Sequence, residues 1–98
     1  MITGKTKSGF KYAINEKSMH DIRLLDAVKL ADSTDTLEAS KGVLRCFNLL
    51  IGQENRDKLI EHIASLDEDG IPTVEAFQEE LLDIFHSAGE QNKEVKNS

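Results

Sequence analysis

The chain has 98 residues, of which 39% are apolar and 31% are charged, and this length fits one small domain with a modest core. Its eighteen acidic and twelve basic residues leave a formal net charge of −6, which disfavours binding to the phosphate backbone of nucleic acids. One cysteine excludes an intrachain disulfide, and no apolar run approaches the roughly 20 residues that cross a membrane. We therefore expect a cytoplasmic protein that contacts neither nucleic acid nor membrane.

The N-terminal segment is the only part of the chain with the alternation of a β-strand. Phe10, Tyr12 and Ile14 alternate with a lysine and an alanine. Residues 1–6 can pair back across a glycine-containing turn at residues 7–9. Because a two-stranded hairpin is marginal in water, it must pack on the helices of its own chain or pair with another chain. We expect the first arrangement, although the sequence leaves both open.

The first predicted helix begins at Ser18, whose hydroxyl can accept a backbone N–H of the first turn. Ile22, Leu25 and Val28 follow at intervals of three residues and form an apolar stripe, which Leu24 and Ala31 join. Such a stripe normally faces the core of a small helical domain. The helix should end near residue 32, where Asp, Ser and Thr compete for backbone hydrogen bonds.

The second and third predicted helices are separated by a glycine. Asp35 followed by Glu38 is a helix-start signal, and Gly52 fits the position just after a helix end. Gly42 lies inside the second helix and costs up to about 1 kcal/mol unless another helix needs the close approach. The apolar positions expected to be buried in the third helix are Leu59, Ile60, Ile63 and Leu66.

The fourth predicted helix has the clearest periodicity. Pro72 blocks helical geometry at the preceding residue, and Thr73 is a suitable N-cap. The apolar positions of this helix are Val74, Phe77, Leu81, Ile84 and Ala88. After Gly89 no apolar stripe continues, which is typical of a disordered tail.

The sequence therefore predicts a mainly α fold, in which about four amphipathic helices form a small bundle beside a short N-terminal strand or hairpin. The expected single domain covers residues 1–88, followed by a flexible tail over residues 89–98. Its expected elements are a strand segment at 1–15 and helices at 18–32, 36–51, 54–66 and 73–88.

Motifs for catalysis or metal binding are incomplete. The acidic turn at residues 67–70 is similar to a calcium loop, but Ser65 and Ala76 occupy two essential ligand positions. His20, His62 and His86 fall on three different helices without metal-ligand spacing. Apolar neighbours surround the only cysteine, Cys46, which is the opposite of what a catalytic thiol needs. We therefore expect no enzyme, no catalytic residue, no cofactor and no metal site.

The order and spacing of four segments resemble a known family. These segments are FKYAIN, the acidic leucine-rich DIRLLDAVKLAD, the helical LLIGQENRDKLIEHI, and DEDGIPTVEAFQEELLDIF. Many members of that family have a similar Leu-Leu-Gly-x-Glu-Gln motif. In this chain the motif is shifted to Gly52, Gln53 and Glu54. In order, spacing and total length, the chain resembles the small tail assembly chaperones of long-tailed phages and prophages of Gram-positive bacteria.

The resemblance implies a role in virion morphogenesis. Such proteins are thought to bind the tape-measure protein, keep it soluble before the tail tube polymerises, and then leave, so we do not expect this chain in the mature virion. The major tail protein is a second possible partner, and a homo-oligomer in the host cytoplasm is expected. Relatives often have a form extended by a ribosomal frameshift, and Val95, Lys96 and Asn97 are compatible with a slippery codon sequence.

Apolar residues outside the predicted core are the candidates for partner binding. Leu82 and Phe85 can line a groove for a helix, and Phe10 and Tyr12 lie on the predicted hairpin. Leu82 and Phe85 can instead complete the core, which is the interpretation that we favour for Phe85, and the hairpin that carries Phe10 and Tyr12 is expected to pack on the helices. The alternative function is an acidic regulatory or inhibitory module that binds a host protein or mimics DNA, for which strong salt dependence would be expected.

Overall fold

The computed structural model describes the backbone of residues 1–97 and the side chains of residues 1–89. It begins with an antiparallel hairpin of β1, Ile2–Lys5, and β2, Lys11–Ile14. In the register of the two strands, Ile2 lies opposite Ile14. Both side chains are buried against the helices, so the hairpin packs on its own chain as expected.

The turn of the hairpin lies where the sequence predicts it. The Thr6 amide donates to the Phe10 carbonyl, and the Gly9 amide donates to the Thr6 carbonyl, both at 2.9 Å. Gly9 has a φ of 99°, a left-handed conformation that glycine adopts without steric cost. Hydrogen bonds within the turn and the conformation of Gly9 therefore determine the geometry of the hairpin.

The first α-helix starts later than predicted. Residues Glu16–His20 form a 3-10 turn, and α1 covers Ile22–Ala31. Ser18 lies inside the 3-10 turn, so its assignment as the N-cap is wrong. Asp21 caps α1 instead, and its carboxylate accepts the backbone N–H of Arg23 at 2.9 Å. A carboxylate suits this position because it also interacts favourably with the positive end of the helix.

The structure contains three α-helices between residues 1 and 97, so the predicted count of four is wrong. The predicted second and third helices are one element, α2, Thr36–Leu66, with a kink at Gly52. The predicted cap at Asp35 is confirmed, because its carboxylate accepts N–H groups of the first turn at 2.9 and 3.1 Å. Gly52 has φ 82° and ψ 161°, a region that only glycine populates readily. The chain therefore changes direction at one residue, and no loop separates the two halves.

Helix α3 covers Val74–Asn97 and begins at the predicted cap. The Thr73 hydroxyl accepts the Ala76 N–H at 3.2 Å. Before it, the Asp67 carboxylate accepts two N–H groups of the acidic turn at 2.9 and 3.1 Å. Residues 89–97 of the predicted flexible tail belong to the last part of α3, whereas residue 98 and the side chains beyond residue 89 lie outside the described residues. Across residues 1–97, no helix combines the length and the hydrophobicity needed to cross a membrane.

The core lies where the hairpin, α2 and α3 meet, and α1 covers one side of it. Its largest fully buried side chains are Phe47, Ile14, Leu59, Ile84, Val43 and Cys46. Helix α1 approaches α2 closely at Gly42, where an added Cβ would meet the backbone of Leu30 and Ala31. Leu66, which was expected in the core, is 59% exposed because it lies in the last turn of α2, beyond the cover of its neighbours.

Candidate partner-binding surface

An apolar stripe lies on the outer face of α1. Ile22, Leu25 and Val28 are 75%, 63% and 38% exposed, so the expectation that they face the core is wrong. Helix α1 instead buries Leu24 and Ala27. The small Ala27 side chain and the glycine of α2 allow the two backbones to approach, which turns the larger side chains towards solvent. We call these three exposed residues the α1 stripe.

The α1 stripe continues into a groove between α1 and α3 with a volume of about 440 Å³. Its apolar lining consists of Val28, Ala31, Val43, Leu81, Leu82 and Phe85. Val28 belongs to both the stripe and the groove, so the two form one surface. The Gln78 amide donates to the carbonyl of Ala31, the last residue of α1, at 3.3 Å and ties α3 to α1 beside the groove.

The predicted partner-binding residues lie in different environments. Leu82 is 68% exposed on α3, and Phe85 is half-buried beside it, so both belong to the groove. Phe10 is half-buried and packs against the ring of His62, with 5.8 Å between the ring centroids. Tyr12 is only 6% exposed and belongs to the core of this conformation.

Sequence reasoning missed the contribution of α1 to this surface. The prediction assigned Leu24 and Ala31 to the same stripe, whereas together with Ala27 they form a second apolar row with helical spacing. That row contains two alanines, which suit a close helix crossing. When a helix has apolar residues on two faces and only one face packs on the core, the other face remains available to a partner.

A polar cluster joins the hairpin turn to α2 and α3. The hydroxyls of Thr6 and Ser8 donate to one carboxylate oxygen of Glu80 at 2.9 and 2.8 Å. Glu80 is only 5% exposed, so these hydroxyls replace the water that a carboxylate needs. His62 Nε2 lies 3.0 Å from the Ser8 carbonyl oxygen and 3.2 Å from the Ser8 hydroxyl.

Serine, histidine and a carboxylate occur together in this cluster, but their geometry is not that of a catalytic triad. A carbonyl oxygen can only accept, so the Nε2 atom of His62 must carry a hydrogen and cannot take a proton from Ser8. In a triad the carboxylate orients the histidine, whereas here Glu80 accepts from the serine. The cluster therefore anchors the turn to the helices.

We expect Glu80→Ala to lower the free energy of unfolding by about 2 kcal/mol, because two hydroxyls lose an ionised acceptor in a buried site. Glu80→Gln retains an acceptor oxygen and should lose less. Urea unfolding monitored by circular dichroism measures both effects. The matched control is Glu79→Ala on the exposed side of the same turn, which should change stability by no more than about 0.5 kcal/mol. An equal decrease in the free energy of unfolding for Glu79→Ala and Glu80→Ala would show that the cluster contributes nothing to stability.

Other reactive groups do not form a site in the described part of the chain. Burial raises the pKa of the Cys46 thiol to about 11, so at neutral pH it is a protonated, unreactive side chain. The carboxylate of Asp67 is occupied by backbone N–H groups of its own turn. Within the described residues, no group of three or more His, Cys, Asp or Glu side chains is arranged to hold a metal ion. The chain matches no protein-family model, and neither a curated protein nor a solved structure is significantly similar to it.

Proposed function

We propose that the chain is a tail assembly chaperone of a long-tailed bacteriophage, which binds apolar stripes of the tape-measure protein and keeps that protein soluble before the tail tube polymerises. The observation that carries the proposal is the α1 stripe and its continuation into the groove between α1 and α3. Large exposed side chains in contiguous patches mark surfaces that another protein covers. Their loss of contact with water on binding would provide the driving force.

The shape of this surface suits a helical partner. Helix α1 presents its stripe at intervals of three residues, and α3 presents Leu82 and Phe85 with the same spacing. A helix lying between α1 and α3 would contact Val28 on one side and Leu82 and Phe85 on the other, as in other helix-in-groove complexes. Tape-measure proteins are long helical chains with apolar stripes, so each offers many such segments.

The size of the surface favours binding in many copies. The stripe from Ile22 to Val28 extends over about 9 Å at 1.5 Å per residue, which is short for a single stable interface. A long partner can bind many chaperone molecules side by side, each through a short contact. The net charge of −6 on each copy would keep the coated partner soluble by mutual repulsion.

The test is co-expression of the chain with the tape-measure protein that the proposal predicts to be encoded in the same gene cluster. We expect wild-type chain to keep that protein in the supernatant and to co-purify with it. Leu82→Asp should abolish both effects, because a carboxylate would enter the apolar groove. Leu66→Asp is the matched control, since Leu66 has a similar exposure, 59% against 68%, and does not line the groove.

Both variants must retain the helical circular dichroism and the melting temperature of the wild type for the comparison to hold. Equal solubilisation by folded Leu82→Asp and by wild type would show that the groove is not the binding surface. Failure of the wild-type chain to retain the long protein would overturn the proposed function itself. Capture of a host protein that dissociates in high salt would favour the acidic inhibitory module instead.

A further inference from the structure

A second depression, with a volume of about 570 Å³, lies on the other side of Leu82 from the groove. Its polar lining consists of Lys7, Ser8, Glu79, Glu80, Asp83 and His86. Leu82 lines both depressions and forms the ridge between them. A partner held in the apolar groove would therefore lie directly beside these polar side chains.

Acidic residues outnumber basic residues around this ridge. Between Val74 and Gly89, α3 carries four carboxylates and no lysine or arginine. None of the four forms a salt bridge with a lysine or arginine of residues 1–89. Three of these acidic residues line the depression, against one basic residue, Lys7, so carboxylates exceed lysine and arginine side chains there by two.

The opposite wall of the groove has no such excess. There α1 contributes Lys29, and Asp32 follows directly after the helix, so the two charges cancel. The surface is therefore apolar in the middle, neutral on the α1 side and negative on the α3 side. A partner with an even distribution of charge would gain nothing from this asymmetry.

We infer that the partner segment is a basic amphipathic helix, with an apolar stripe that enters the groove and lysine or arginine residues on the one flank that faces α3. This inference rests on the proposed function, because it specifies the segments of the tape-measure protein that the groove selects. The basic flank crosses the Leu82 ridge and lies over Glu79 and Asp83. Glu79 is exposed. Asp83 is half-buried, and one of its carboxylate oxygens accepts the backbone N–H of Lys7 at 2.7 Å, which holds the carboxylate at the depression.

The geometry of a helix allows both contacts at once. Successive residues of an α-helix are about 100° apart, so a basic residue next to an apolar one lies on the adjacent face. The helix is about 10 Å wide with its side chains, comparable to the separation of packed helices. Partner recognition then has two parts, an apolar contact that holds any amphipathic helix and a charged contact that selects basic ones.

The test uses three synthetic peptides of about 20 residues that share one leucine stripe and carry lysine, glutamine or glutamate on its flank. Fluorescence anisotropy measures their binding to the full chain. At low salt we expect the lysine peptide to bind about tenfold more tightly than the glutamine peptide, and the glutamate peptide to bind most weakly. The difference between the lysine and glutamine peptides should shrink to about twofold in 0.5 M salt, because these charges lie near the surface.

Two matched double variants distinguish the effect of the carboxylates beside the groove from the effect of the net charge of the chain. Glu79→Gln with Asp83→Asn should reduce the preference for the lysine peptide to about twofold without changing the affinity of the glutamine peptide. Glu61→Gln with Glu68→Gln removes the same number of charges from exposed positions outside the groove and the depression, and should keep the tenfold preference. Equal loss of preference in both variants would mean that only the net charge matters, which overturns the inference.

Other outcomes also decide the question. Equal binding of the lysine and glutamine peptides overturns the basic flank but leaves the helix-binding groove intact. If none of the peptides binds while the chain still keeps the tape-measure protein soluble, the occupant is not an amphipathic helix and the proposed function survives. A dimer in sedimentation experiments that Leu82→Asp converts to monomer, with no competition by the peptides, would identify a second copy of the chain as the occupant and overturn the inference.

Discussion

Phe47→Ala is expected to lower the free energy of unfolding by about 3–5 kcal/mol, because it removes a large side chain from the centre of the core and leaves a cavity. Phe47 is fully buried on α2, and its ring meets that of Phe77 on α3 edge-on, with 5.6 Å between the centroids and 82° between the planes. A chain of this length has a total stability of about 5–15 kcal/mol. The variant should therefore be close to unfolding at 37 °C.

The control for this prediction is Phe47→Leu, which retains much of the volume and should lose roughly 1.5 kcal/mol. Urea unfolding at 25 °C measures both variants against wild type. A loss below about 1 kcal/mol for Phe47→Ala would mean that α2 and α3 are not packed through this aromatic pair.

Gly42→Ala is expected to destabilise the protein by about 3 kcal/mol, at the upper end of the usual effect of overpacking. A Cβ at this position would lie 2.6 Å from the Leu30 carbonyl carbon and 2.7 Å from the Cα of Ala31. These are backbone atoms of α1, which cannot rotate away as a side chain can. The helix must move, and the burial of Leu24 and Ala27 against α2 would be lost with it.

The matched control is Gly89→Ala in α3. Gly89 is exposed, and an added Cβ would have no atom within 4 Å, so alanine should raise stability by up to about 1 kcal/mol through its higher helix propensity. Thermal and urea unfolding of the two variants should therefore change in opposite directions. Stabilisation by both substitutions would show that α1 does not lie against α2 at Gly42.

The features that sequence reasoning predicted correctly depend on neighbouring residues. The hairpin turn with Gly9, the cap of α2 by Asp35 and the cap of α3 by Thr73 each require hydrogen bonds within a few positions. The chemistry of turns and helix starts is encoded locally, and the same residues favour the same geometry in many folds. The placement of these elements followed from the amino-acid pattern alone.

The features that were missed depend on distant contacts. Leu25 and Leu24 are equally apolar, and the choice of which one faces the core is made by Gly42, almost twenty positions away. Gly52 satisfies the pattern of a helix end, yet its backbone lets the helix resume at once. The groove between α1 and α3 follows from these two tertiary arrangements, so only Leu82 and Phe85 could be named from their local pattern.

The polar cluster at the hairpin turn has a consequence for protein synthesis. Its Thr6–Glu80 hydrogen bond joins partners separated by 74 positions, and the neighbouring hydrogen bond between the Lys7 backbone N–H and Asp83 joins partners separated by 76 positions. At about 5–20 residues per second, the ribosome needs about 4–15 s to make the partners after it has made the turn. During that interval the turn can already contact α2 through His62, but its hydrogen bonds to α3 cannot form. The hairpin therefore gains its polar contacts with α3 only after residue 83 has been made, so its attachment to the helices is completed in two stages.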